Sequence, residues 1–195
     1  MNEHLAWAQW WALPWQAAHP DWLLADLVDI PSSLWRSHHA QANLVLGIEP
    51  CLPLAPSDTE LRLALASSTQ LDLMLALLGN TCRPLFDGGL SEEQHLWCMR
   101  LSKALHQDAL LAAAEDPLHL LQVWVRPVIW QRLRLRFPRQ RVLGLETHPT
   151  PADDAHNRLD TLWQAVIWRV TTPQGEAPSP YSTGRDLTDV LPAQD

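Results

Sequence analysis

A mainly α-helical single domain is the fold the sequence predicts, and three observations carry it. Apolar residues recur at helical spacing along most of the chain. Ser-x-x-Gln pairs stand at the start of two apolar stretches, the pattern of a capping box. Glycine is scarce, seven in 195 residues, which disfavours loop-built architectures. The helical domain is expected over residues 1–171, with a flexible, acidic, proline-rich tail over 172–195 and, at most, a minor two-stranded β element.

The elements follow in order. Residues 4–13 read as a short helix containing Leu5, Trp7 and Trp11, ended by Pro14. Asp21 can cap a second, 22–28. Ser32 and Ser33 are good caps for a third helix carrying Leu34, Trp35, His38, Ala42, Val45 and Leu46, with Gly47 as its stop. Segment 48–58 holds three prolines and reads as a connector. TELRLALAS alternates like a strand but has the composition of a helix. Ser67 and Gln70 open QLDLMLALLGN, apolar on all sides and so expected at the centre of the core, with Gly79 and Asn80 ending it.

Ser91 and Gln94 open the longest helix, 91–115, with Glu92 and Glu93 at the positive end of its dipole. Its inner stripe is read as Trp97, Leu101, Ala104, Leu105, Leu111 and Ala112. Pro117 suits the first turn of PLHLLQVWV. In VIWQRLRLRFPRQR, Leu133, Leu135 and Phe137 alternate with Arg132, Arg134 and Arg136, which fits a strand with one basic face. Trp130, Leu133 and Phe137 also fit a helix, and the helical reading is preferred. A last helix spans about 160–170, with Leu162, Trp163, Val166, Ile167 and Val170 apolar.

Composition narrows the function. The formal net charge is −8, which speaks against a general nucleic-acid binder. Three cysteines at unrelated spacings make no disulfide or zinc framework, and no apolar run approaches the ~20 residues of a membrane helix. A soluble, cytoplasmic protein without direct membrane insertion is expected. His95 and Cys98 lie three apart, yet no second pair joins them as a metal site would need. Asp153 and Asp154 sit in a proline-flanked loop where nothing raises a pKa. No catalytic constellation or cofactor motif emerges, so a non-enzymatic protein is expected.

Two features point to contacts. Residues 126–141 hold six arginines and no acid, whereas the 125 residues before them carry 5 basic and 14 acidic side chains. Such a patch suits an acidic partner surface, and pairing with the protein's own acids fits it equally. The chain also has eleven tryptophans against two phenylalanines and one tyrosine, with Trp7, Trp10, Trp11, Trp15 and Trp22 near the start. Indole combines a large apolar area with an N–H donor, so core filling and partner contact are both open, core being expected for most. Trp35, Trp97, Trp124, Trp130, Trp163 and Trp168 fall at or near faces expected to be buried.

Three stretches, DIPSSLWRS (29–37), QLDLMLALLGNTCRPLF (70–86) and VIWQRLRLRFP (128–138), resemble the SctK family of small type III secretion proteins, also met as YscK- and HrpD-type. The resemblance covers most of residues 20–140 and leaves out the N-terminal tryptophans and the tail. It implies a mainly helical accessory of the cytosolic sorting platform, without cofactor, at the cytosolic face of the inner membrane. Its partners would be the cytoplasmic domain of the inner-membrane ring protein and the pod-forming platform protein. The family has no catalytic residues to carry over. The contact residues expected here are Arg132, Arg134, Arg136 and Arg139, then Trp35 with Arg36. The alternative is a secretion chaperone or regulator that holds an apolar client segment in a tryptophan-lined groove.

Overall fold

The Ser67 hydroxyl and the Gln70 side chain start the helix around which the others assemble. Ser67 Oγ accepts from the Gln70 N–H at 3.1 Å, and Gln70 Oε1 accepts from the Ser67 N–H at 2.8 Å. In this computed structural model, which describes residues 2–26, 39–83, 89–105, 116–147 and 156–172, that helix is the fifth of ten described helices. The order is α1 (Glu3–Ala12), α2 (Pro20–Asp26), α3 (His39–Val45), α4 (Asp58–Leu65), α5 (Ser68–Cys82), α6 (Glu92–Leu105), α7 (Pro117–Trp124), α8 (Pro127–Leu133), α9 (Arg139–Glu146) and α10 (His156–Thr171). Among the described residues there is no β-strand, so the fold is mainly α and the minor β element is not formed there.

Helix α5 packs against α6, α7 and α10, while α4 packs on α1 and α10. Leu71, Met74, Leu75, Leu77 and Leu78 of α5 are buried, as a helix apolar on all sides requires. It does not stop at Gly79 but runs on to Cys82. A Cβ at Gly79 would lie 2.9 Å from Pro117 Cγ, so the glycine admits the first turn of α7 rather than ending α5. Gly47, by contrast, is the expected stop: its φ is +63°, and its N–H bonds the Leu44 carbonyl after α3.

TELRLALAS is helix α4. Ser57 and Glu60 form a capping box, and the alternating leucines become Leu63 inside and Leu61 and Leu65 toward the rim. The arginine-rich stretch is also helical, but Pro138 divides it, so that α8 and a 3-10 turn (Arg134–Arg136) are followed by a separate α9. The described part of the long sixth helix starts with the expected Ser91–Gln94 box, at 2.8 and 3.2 Å. Its inner stripe differs from expectation: Cys98 is fully buried, Trp97, Leu101 and Leu105 are half-buried, and Ala104 is exposed. The expected helical residues 106–115, the Asp153–Asp154 loop and the tail beyond Thr172 lie outside the described residues.

Tryptophan usage has a structural cause. All five N-terminal tryptophans are buried, and three of their indole N–H groups reach carbonyls of distant segments: Trp7 to Leu54, Trp11 to Cys51 and Trp22 to Phe137, at 2.9–3.1 Å. Trp124 donates to Asp160 and Trp130 to Glu146. The proline-containing connector after α3 has no helical partner for its carbonyls, so indoles satisfy two of them while filling the core. Phenylalanine could do only the second.

Asp116 joins α7 to α9. Its Oδ1 accepts from the Leu118 N–H at 2.8 Å as an N-cap, and both carboxylate oxygens accept from Arg141, at 2.7 and 2.8 Å. Burial pushes this carboxyl up, but the Arg141 and Leu118 hydrogen bonds outweigh it and hold Asp116 below its ordinary range. A depressed folded pKa means stability that is present above the unfolded value of about 3.9 and lost as pH falls through the folded value. Asp116→Asn keeps the cap and removes the ion pair. Thermal melts should show it about 1 kcal/mol less stable at pH 7, with the difference from wild type closing toward pH 2–3. A pH-independent difference would assign the loss to the cap instead.

Candidate interaction surface

The six arginines of residues 126–141 point inward, toward different segments. Along α8 and the turn after it, residues two apart are rotated by roughly 200–240°, so Arg132, Arg134 and Arg136 cannot share one face. Arg132, 2% exposed, stacks on the Trp11 ring at 4.0 Å. It donates to the Trp11 carbonyl (3.2 Å), the Val128 carbonyl (2.9 Å) and Cys51 Sγ (3.8 Å). Arg134 pairs with Glu146 at 2.9 Å and donates to the Leu46 carbonyl at 2.8 Å. Arg136 donates to the Ala64 and Ala66 carbonyls, capping the C-terminal end of α4.

The other three complete the pattern. Arg126 pairs with Glu60, Arg141 with Asp116, and Arg139 lies 5.6 Å from the Trp22 ring centre. Burial pushes Arg132 and Arg136 below the ordinary arginine value, while the Asp116 hydrogen bond raises Arg141. The expected outward basic face is therefore corrected: these guanidiniums cross-link α1, α4, α7, α9 and the connector. Trp35 and Arg36, the second expected contact, lie outside the described residues.

His95 and Cys98 also serve internal roles. His95 Nδ1 is 3.0 Å from Asn80 Oδ1, and the Cys98 thiol donates to the Leu77 carbonyl at 3.4 Å, both across the α5–α6 contact. Burial pushes the Cys98 thiol up and drives Cys82 to about 12, so neither is a poised nucleophile. Among the described residues no group of three or more His, Cys, Asp or Glu side chains is placed to hold a metal ion. No single helix there is long and apolar enough to cross a membrane.

What the fold does leave outside is a tryptophan under an arginine. On α10 the stripe Leu159, Leu162, Trp163, Val166 and Ile167 is fully buried, which turns Trp168 outward at 50% exposure. That corrects its expected burial. Arg62 of α4 lies 4.2 Å over the Trp168 ring, and its Nη1 donates to Thr171 Oγ1 at 3.2 Å. Among the described residues Arg62 has no carboxylate partner. Beside it opens a cleft of about 360 Å³, lined by Glu3, Asp58, Arg62, Leu65, Gln70 and Thr171, with Leu65 exposed.

Sequence periodicity held the signal for Trp168, one position past the inner pair Val166 and Ile167. The pairing with Arg62 is invisible in sequence, since 106 positions separate them. A second exposed apolar strip, Leu96 and Met99, lies on α6. The tryptophan-lined groove that a client-holding chaperone would use is not open, because Trp7, Trp10, Trp11, Trp15 and Trp22 are core. No family model, no curated protein and no solved structure matches the chain.

Proposed function

We propose that the protein is a non-enzymatic adaptor that holds partner proteins on a rigid helical body, and that the Arg62–Trp168 cleft is a docking surface. The carrying observation is the half-exposed Trp168 stacked under an arginine that lacks a carboxylate. Trp and Arg are the residue types that dominate binding energy at interfaces, and here both are held in place before a partner arrives. The finer assignment, an accessory of a type III secretion sorting platform linking the inner-membrane ring protein to the pod protein, rests on the resemblance of residues 29–37, 70–86 and 128–138 to the SctK family. A helical, acidic chain is compatible with it.

The test is capture of the ring protein's cytoplasmic domain and of the pod protein by wild type, Trp168→Ala and Arg62→Glu. Each variant should weaken capture of one of the two partners at least ~10-fold, with helicity and melting temperature close to wild type because both side chains are partly exposed. Undiminished capture by both variants removes the cleft from the reading. Failure of wild type to capture either protein removes the secretion assignment. Reversing Arg132, Arg134 and Arg136 would be an unsuitable probe, since those side chains hold the fold.

A further inference from the structure

Helix α10 ends at Thr171, which itself lines the cleft, so the chain leaves the described domain at the cleft's edge. The residues that follow include Arg185-Asp186-Leu187-Thr188-Asp189-Val190-Leu191, the one stretch of the tail that interleaves carboxylates with bulky apolar side chains. The cleft asks for that mixture. Arg62 has donors and no carboxylate, Leu65 and the Trp168 ring offer apolar area, and Glu3 and Asp58 place acids on the same lining. A purely acidic segment would meet Glu3 and Asp58, and a purely basic one Arg62. A segment with two carboxylates and one guanidinium can satisfy both signs.

We propose that residues 185–191 occupy the Arg62–Trp168 cleft in the free protein, with Asp186 or Asp189 pairing with Arg62, Arg185 turned toward Glu3 or Asp58, and Leu187, Val190 and Leu191 against Leu65 and Trp168. Reach is no obstacle: the 13 residues between Thr172 and Arg185 can span up to roughly 40 Å when extended. Tethering makes even a weak contact effective. A short linker of this length supplies an effective concentration in the millimolar range, so an intrinsic Kd of ~1 mM already gives about half occupancy. A partner that docks in the cleft must displace this segment, which makes the tail a competitor in cis. The inference rests on the cleft being a docking surface and not on the secretion assignment.

The experiment is NMR of the full chain. The Trp168 indole N–H peak, assigned by its loss in Trp168→Phe, should shift on Asp186→Lys with Asp189→Lys, substitutions outside the packed domain that leave the other indole peaks in place. The 15N heteronuclear NOE of residues 186–191 should stand above that of the tail around it, and should fall to the same level in Arg62→Glu. A Trp168 peak indifferent to the tail substitutions, or a uniform NOE along the tail, overturns the proposal. A peak that moves with protein concentration and not with the tail assigns the cleft to a second copy and also overturns it. No secretion protein enters the measurement, so a failed capture experiment and a failed tail experiment remain distinguishable.

Discussion

Arg132→Ala is expected to destabilise the protein by about 3–4 kcal/mol. The guanidinium is almost completely buried, lies on the Trp11 ring and satisfies the Trp11 and Val128 carbonyls. Alanine removes the stacked cation, opens a void and leaves two carbonyls without their donor. Each charge-assisted hydrogen bond contributes about 1.5–3 kcal/mol, and these losses overlap rather than add. Arg132→Met should recover part of the loss by refilling the volume. Arg132→Lys should recover less than charge alone suggests, because an ammonium is a point charge without the planar fork that reaches both carbonyls and the ring. Urea melts of the three variants check the order, and a cost below 1 kcal/mol for alanine would contradict the bracing role.

Trp163→Ala should cost about 4 kcal/mol, within the range for deleting a large buried aromatic. Trp163 is fully buried on α10 and stacks on Trp124 of α7, with ring centres 5.5 Å apart and planes 17° from parallel. Its loss would leave a void where α10 meets α7 and remove the face that orients Trp124 toward Asp160. Trp163→Phe should cost much less, about 1–2 kcal/mol, because the Trp163 N–H meets no acceptor and only ring area is lost. Trp124→Phe should give the contrasting result, since it abandons the bond to Asp160. Comparing the two phenylalanine variants by thermal denaturation separates the apolar role of an indole from its donor role.

Helix starts were legible because they are local. Ser67 with Gln70 and Ser91 with Gln94 bond within three residues, and Pro117 needs only its own ring to suit a first turn. The stripe of α10 was legible for the same reason, and read strictly it also places Trp168 outside. Gly79 was misread as a stop, since its glycine answers to Pro117, 38 positions away. The arginines were misread as a face because alternation in sequence says nothing about which carbonyls need a donor.

The sequence by itself determined the class of this protein: a helical chain with α5 at its centre, acidic overall, and rich in side chains that combine apolar area with a hydrogen-bond donor. Those are properties of spacing and composition, which act over a few residues. Tertiary structure alone decided which donors face inward. Arg132, Arg134 and Arg136 turn to carbonyls and carboxylates from 4 to 121 positions away, because a buried polar backbone group must find a partner wherever the fold brings one. The same assembly left Arg62 and Trp168 together at the surface, where no carboxylate of the described domain meets the arginine and a cleft stands open beside it.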